Sequence, residues 1–240
     1  MPAVGEAHVW WADRADVRPK HVALLDAGER RRRDLLVRRA HRDLFTLGCA
    51  LLRTVLGTVL GVRPGAVRID RSCPDCDRPH GRPTLRHAGG LDCSLSRSGD
   101  RVVVAVTRGA RIGVDVERVV TLTGLDRLVT QVLAPAELRS WRGGPDPLGG
   151  FYSYWTRKEA ILKAAGCGLR IAPVKLTLSD PGTPPRLLTT REVPLAVERV
   201  HLHELRAPAG YAACAAVVGD AAAAVVEHDA RPLLTAGTAP

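Results

Sequence analysis

Between Arg42 and Leu60 the residues Leu44, Leu47, Leu51, Val55 and Val59 recur at helical spacing, and Gly61 with Pro64 beyond it supplies a stop. A helix of this length with one apolar stripe has to be covered, so the chain must build a core around it. The other segments show what can do so. Strand patterns are predicted at Ala7–Trp11, Leu91–Leu95, Arg101–Thr107 and Ile112–Val116, the second and third joined by a Ser98-Gly99-Asp100 turn. A first helix is expected over Glu29–Arg39 and a Pro- and Gly-rich loop over Cys73–Gly90. Helices follow near Leu125–Leu133, before Trp141, and from Tyr152 to Ala165, the last preceded by a loop at Gly143–Gly150 and ended by Gly166 and Gly168. Strands are expected again at Val174–Leu178, Pro185–Thr190, Val197–Leu205 and Tyr211–Val218. Helices and strands are mixed with antiparallel turns and do not alternate as βαβ, which favours α+β over a doubly wound sheet.

At 240 residues the chain suits one large domain or two small ones. Each side of Arg108–Ile112 offers a long helix and several strands, so we divide it into residues 1–110, residues 111–228 and a loose tail over 229–240. Charge follows the same division. Residues 1–111 hold 21 Lys+Arg against 12 Asp+Glu, an excess of nine, while residues 112–240 hold 14 against 13. A polyanionic ligand, an acidic protein or nucleic acid would each suit the first half. Arginine outnumbers lysine 31 to 4, which compositional bias spread over solvated faces would also produce. The most apolar stretch, Tyr211–Val226, is broken by Gly219 and Asp220, so no membrane span is expected. Residues 1–16 carry Glu6, Asp13 and Asp16 and do not read as a signal peptide, so a cytoplasmic location is expected, with the six cysteines reduced.

Two segments carry chemistry. In Gly113-Val114-Asp115-Val116-Glu117 a strand would point Asp115 and Glu117 to one face and Val114 and Val116 into the core. Carboxylates that close repel unless a cation lies between them, and oxygen ligands suit Mg²⁺. Two solvated acids on an exposed strand face are the other reading. In the segment from Trp155 to Leu169, Glu159 and Lys163 stand one helical turn apart, which taken alone is a surface ion pair.

Together the two segments resemble the paired signatures of the 4′-phosphopantetheinyl transferases, G-[IV]-D-[IV]-E and W-[ST]-x-K-E-[AS]-x-x-K-x-x-G-x-G-[LF], matching every fixed position. The likeness continues through Ala40-His41-Arg42 to Leu51-Leu52-Arg53, Gly81-Arg82-Pro83 and Ser94-Leu95-Ser96-Arg97-Ser98-Gly99, where Arg97 stands in place of the family's usual histidine. Length and pattern resemble the larger, surfactin-synthetase-activating (Sfp-like) type. This implies two similar α+β halves, each a long helix on a small, mostly antiparallel sheet, acting as a monomer.

The resemblance implies transfer of the phosphopantetheine arm of coenzyme A to a serine of an apo acyl or peptidyl carrier protein, releasing adenosine 3′,5′-bisphosphate. Asp115, Glu117 and Glu159 would converge on Mg²⁺, with Mn²⁺ as a substitute. Glu159, or a water it holds, would take the serine proton, and Lys163 would stabilise the departing phosphate. Glu137 resembles a further family acid, catalytic or structural. Arg42, Arg82, Arg97 and Ser96 are the candidates for coenzyme A, with Arg30 and Arg33 behind them. No nucleic acid and no membrane partner is expected.

Cys73 and Cys76, with His80, His87 and Cys93 nearby, suggest half of a zinc site. The rival function is therefore a basic nucleic-acid-binding module with a zinc knuckle. That rival calls for stacking aromatics among the arginines, yet Arg30–Arg42 contains none, and it leaves the three acids unexplained.

Overall fold

A computed structural model describes residues 2–73, 76, 81–85 and 89–236. The elements in chain order are β1 (Glu6–Asp13), α1 (Ala27–Asp34), α2 (Arg39–Leu60), β2 (Ile69–Asp70), β3 (Thr84–Leu85), β4 (Leu91–Ser98), β5 (Arg101–Arg108), β6 (Arg111–Arg118), α3 (Leu125–Val132), α4 (Pro135–Arg142), α5 (Pro147–Ala165), β7 (Leu176–Leu178), β8 (Leu187–Thr190), β9 (Val200–Glu204), β10 (Tyr211–Val218), β11 (Ala224–Asp229) and α6 (Arg231–Thr235). The class is α+β, as expected.

One sheet runs β11-β1-β5-β4 and a second runs β6-β10-β9. Period-two alternation gives every central strand two buried faces. Ala7, Val9, Val103 and Ala105 of the first sheet meet Val114, Val116, Ala213 and Ala215 of the second, forming a core between the sheets. The outer face of the first sheet, with Val102, Val104 and Val106, receives the α2 stripe of Leu47, Leu51 and Val55. The outer face of the second, with Cys214 and Ala216, receives α5. Helix, sheet, sheet and helix are thus stacked, and each fully buried leucine of the stripe contributes about 1.5–3 kcal/mol relative to exposure.

Strands β4 and β6 run side by side in the same direction, joined through side chains. Asp92 Oδ2, Ser94 Oγ and Ser98 Oγ accept the N–H groups of Ile112, Val114 and Arg118, at a constant offset of 20 residues. Short polar side chains at three of the alternate positions 92, 94, 96 and 98 of β4 therefore take the place of backbone carbonyls along this seam, while Ser96 among them is turned to Asp115. Its far end is fixed as well, because Asp100 N donates to Tyr211 Oη at 2.9 Å.

Four expectations are corrected. Helix α1 stops at Asp34, because Leu36 leaves its line to pack against Leu25, Phe45 and Cys49. Helix α5 begins at Pro147 and runs through Gly149 and Gly150, since Asp146 caps it by accepting Gly149 N and Pro147 is preset for a first turn. The segment from 229 packs instead of trailing: β11 pairs in parallel with β1, and Ala230 and Leu234 enter the core under α2. Finally, α2 is long and apolar enough to cross a membrane by composition, although 78% of its most apolar window is buried inside the fold.

Candidate functional site

Alternation on β6 sends Val114 and Val116 into the core between the sheets and turns Gly113, Asp115 and Glu117 toward α5. A Cβ on Gly113 would lie 2.0 Å from the Ala160 carbonyl oxygen and 2.5 Å from Ala164 N. Strand and helix backbones therefore touch there, a contact only glycine permits. On α5, Ala160 and Ala164 are small enough to meet the strand, and Glu159 and Lys163 flank them on one face. The sequence motifs thus encode an approach distance as well as the functional groups.

Lys163 Nζ donates to Asp115 Oδ1 at 2.6 Å, to Ser96 Oγ at 3.0 Å and to the Val114 carbonyl at 3.1 Å. Ser96 Oγ donates to Asp115 Oδ1 at 2.8 Å, and Ser98 Oγ donates to Glu117 Oε2 at 2.6 Å. Asp115 is 2% exposed and Glu159 8%, so the solvated-face reading of the strand acids fails for Asp115. Burial pushes the Glu159 carboxyl up to about 7; Lys163 opposes the rise, and the charges of Asp115 and Glu117 add to it. Glu117 is raised in the same way by burial, against the Ser98 hydrogen bond.

Two acceptor oxygens here, Asp115 Oδ2 and Glu159 Oε1, are buried without a partner. Unpaired buried carboxylate oxygens are costly, and an all-oxygen set suits a hard divalent cation. The donors therefore fit Mg²⁺ in kind. Among the described residues, however, no three acidic, His or Cys side chains stand close enough to form a ready ligand cluster, so the expected common coordination shell is not preformed. The Lys163 ammonium already neutralises Asp115, which lets the acids rest apart.

Glu137 lies elsewhere. It is 1% exposed and paired with the equally buried Lys158 at 2.5 Å, and it also accepts Ala134 N and Leu178 N. This carboxylate joins α4, α5 and β7, and of the two roles expected for it, catalytic or structural, these bonds favour the structural one.

Beside β4 is a cleft of about 530 Å³ whose lining includes four arginines, Arg31, Arg32, Arg71 and Arg97, the apolar Phe45, Leu95 and Pro83, and on one side the acids Asp26, Glu29 and Asp70, of which Asp26 and Glu29 are paired with Arg53. The Arg97 guanidinium lies 5.0 Å over the Phe45 ring and that of Arg32 5.8 Å over it. Arg97 retains an exposed edge, and partial burial followed by the charges of Arg32 and Arg71 lowers its affinity for its proton, which leaves it charged at neutral pH. As neighbours on edge strand β4, Ser96 and Arg97 face opposite ways, Ser96 toward the acids and Arg97 toward the cleft.

The other expected arginines do not line this cleft and bond to the fold instead, Arg30 at the exposed surface. Arg82 donates to Asp92 and to the Ile112 carbonyl, Arg42 to the Leu36 carbonyl, Arg33 to Thr46 and Asp34, and Arg30 to the Ala23 carbonyl. Arg31, Arg32 and Arg71 had not been singled out. The phase of α1 selects Arg31 and Arg32, and Arg53 sets that phase by donating to Asp26, Glu29 and the Val67 carbonyl, while Arg71 reaches the cleft from the segment after β2. Of the zinc candidates, His80 and His87 lie outside the described residues. Cys93 is buried and donates to the Pro83 carbonyl, with its thiol pushed up to about 12 by burial.

Residues 111–218 match the family model described as the 4′-phosphopantetheinyl transferase superfamily. The chain is 36% identical over 155 residues to the 4′-phosphopantetheinyl transferase HetI of a Nostoc species, covering 62% of each chain. It is 28% identical over 134 residues to a 4′-phosphopantetheinyl transferase of Bacillus subtilis, covering 55% of each. The chain thus spans under two thirds of the length of these relatives. Among solved structures it is similar to the holo-[acyl-carrier-protein] synthases of Thermotoga maritima (18% identity, TM-score 0.40, 46% of this chain and 64% of that one) and Neisseria meningitidis (19%, 0.37, 46% and 98%).

Proposed function

We propose that this chain, matched over residues 111–218 by the 4′-phosphopantetheinyl transferase superfamily, transfers the phosphopantetheine arm of coenzyme A to a serine hydroxyl of an apo carrier protein. The observation that carries the reading is the contact of β6 with α5 through Gly113. It sets Lys163 against Asp115, with Glu117 on the same strand face and Glu159 one turn from Lys163 on the helix, and leaves two buried carboxylate oxygens without partners.

Coenzyme A carries a pyrophosphate and a 3′-phosphate. Asp115, Glu117 and Glu159 would hold Mg²⁺, which neutralises pyrophosphate charge as the bond breaks. Arg97, with Arg31, Arg32 and Arg71, binds the anionic nucleotide end, and Phe45 gives its adenine an apolar wall. The serine oxygen forms a bond to the β-phosphorus while the bond from that phosphorus to the bridging oxygen breaks, so adenosine 3′,5′-bisphosphate leaves. Glu159, or a water it holds, takes the serine proton. Lys163, anchored by Ser96 and the Val114 carbonyl, supplies positive charge to the departing phosphate.

The stack of two sheets between two long helices is what the larger, surfactin-synthetase-activating type calls for, and we take the chain as a cytoplasmic monomer of that type. The test is mass spectrometry of apo acyl and peptidyl carrier proteins incubated with the chain, coenzyme A and Mg²⁺. A phosphopantetheine mass gain is expected, and its absence from every carrier offered would overturn the reading. Asp115→Asn is the matched control: because Asp115 is buried against Lys163, the smaller Asp115→Ala would cost stability as well as activity.

A further inference from the structure

The hydroxyl of Ser98 sits between the two halves of the chain. It accepts Arg118 N at 3.1 Å and donates to Glu117 Oε2 at 2.6 Å. With its acceptor side turned to a backbone N–H, its single proton is directed to the carboxylate. Its own position is firmly set. The following Gly99 has φ 58°, and a Cβ there would lie 2.5 Å from Tyr211 Oη and 2.8 Å from Arg118 Cδ, so the turn is pressed against the second half. The next residue, Asp100, donates its N–H to Tyr211 Oη.

Ser94 makes the same kind of seam contact two residue pairs earlier, accepting Val114 N at 3.0 Å, but the structure gives it no contact with an acid. The two serines therefore differ in one respect that bears on the site. One closes the seam, whereas the other closes the seam and also orients Glu117.

We propose that Ser98 is a positioning residue, holding Glu117 from across the seam so that a divalent cation bound by the acids is fixed relative to the nucleotide cleft of the first half. The inference rests on the transfer reading above. A partner that orients a ligating carboxylate typically contributes about ten- to a hundredfold to metal affinity or rate. Glu117 is the penultimate residue of β6, where backbone pairing to β10 holds one side of the strand and only side chains of β4 hold the other, so its orientation depends on the Ser98 hydroxyl.

The experiment measures Mn²⁺ binding to the full chain in the presence of coenzyme A, by loss of the free-ion electron paramagnetic resonance signal, for wild type, Ser98→Ala, Ser98→Thr and Ser94→Ala. Steady-state kcat and KM for coenzyme A are read alongside, and thermal unfolding checks the fold. Ser98→Ala is expected to weaken Mn²⁺ binding about tenfold and to lower kcat more than it raises KM. Ser98→Thr should restore most of both, and Ser94→Ala should lower the unfolding temperature while leaving Mn²⁺ binding within about twofold. Wild-type binding by Ser98→Ala, equal loss in Ser94→Ala, or failure of Ser98→Thr to restore binding in a folded protein would each overturn the proposal. Wild type that binds no Mn²⁺ and transfers nothing would overturn the transfer reading itself, and this one with it.

Discussion

Lys158 and Glu137 are consecutive in no motif, yet each completes the other. The Lys158 ammonium donates to Glu137, to the Val132 carbonyl and to the Leu176 carbonyl, and both residues are essentially inaccessible. Glu137→Ala strands a buried cation and is expected to cost about 3–5 kcal/mol in urea unfolding, whereas the double replacement of Glu137 and Lys158 by apolar residues should cost less. His21 provides a second outcome at this scale. Its ring Nδ1 accepts Arg18 N at 3.1 Å, so protonation both removes an acceptor and places charge near Lys20 and Arg18. Burial lowers its affinity for a proton, as it does for His203 and His228. A histidine with a depressed folded value contributes stability that is whole above the unfolded value of about 6.5 and is lost as pH falls toward the folded one. The buried acids Glu159 and Glu117 act in the opposite sense, gaining stability as pH falls, so His21 is read by difference: from pH 7.5 to 5.5 the unfolding temperature of the wild type should fall relative to that of His21→Gln. The acids and Lys163 were legible in the sequence because their spacing is local. Which arginines face the cleft was not, since a run of four presents one to every side and a distant residue, Arg53, chooses among them.

At the scale of elements, the decisive contact is helix α5 against strand β6 at Gly113. Gly113→Ala is expected to push α5 outward and cost about 1–3 kcal/mol by overpacking. It should also carry Glu159 and Lys163 away from Asp115, so transfer should fall at least tenfold, about what a misplacement of 1 Å costs a reacting geometry. Denaturant unfolding beside the mass-spectrometric assay reads both effects. The strands were legible from alternation, and Tyr211–Val218 is bounded as the pattern predicts. The ends of α1 and α5 were not. In α5 a capping aspartate and Pro147 outweigh two glycines that argue locally for a loop, and in α1 the pull of Leu36 toward a small core of Leu25, Phe45 and Cys49 outweighs helical continuity.

Across the whole molecule the two halves share one seam and one edge. Arginines of the first half line the cleft beside acids of the second, so an acidic carrier protein approaching the site meets the excess of nine positive charges in residues 1–111. Raising ionic strength at saturating coenzyme A is expected to lower kcat/KM for the carrier, and a flat profile would count against electrostatic docking. The division into halves was readable from charge and pattern, but the return of the chain to its start was not. Ala224–Asp229 is short and alanine-led, and only its pairing with Glu6–Trp11 makes it a strand. That pairing joins residues more than two hundred positions apart, and the strand that β11 covers is the first one made. During synthesis β1 can find β5 as soon as the hairpin emerges, but its other edge stays bare until β11, more than a hundred residues after β5, has emerged. The sheet that begins forming first is therefore completed only by a contact of very high sequence separation.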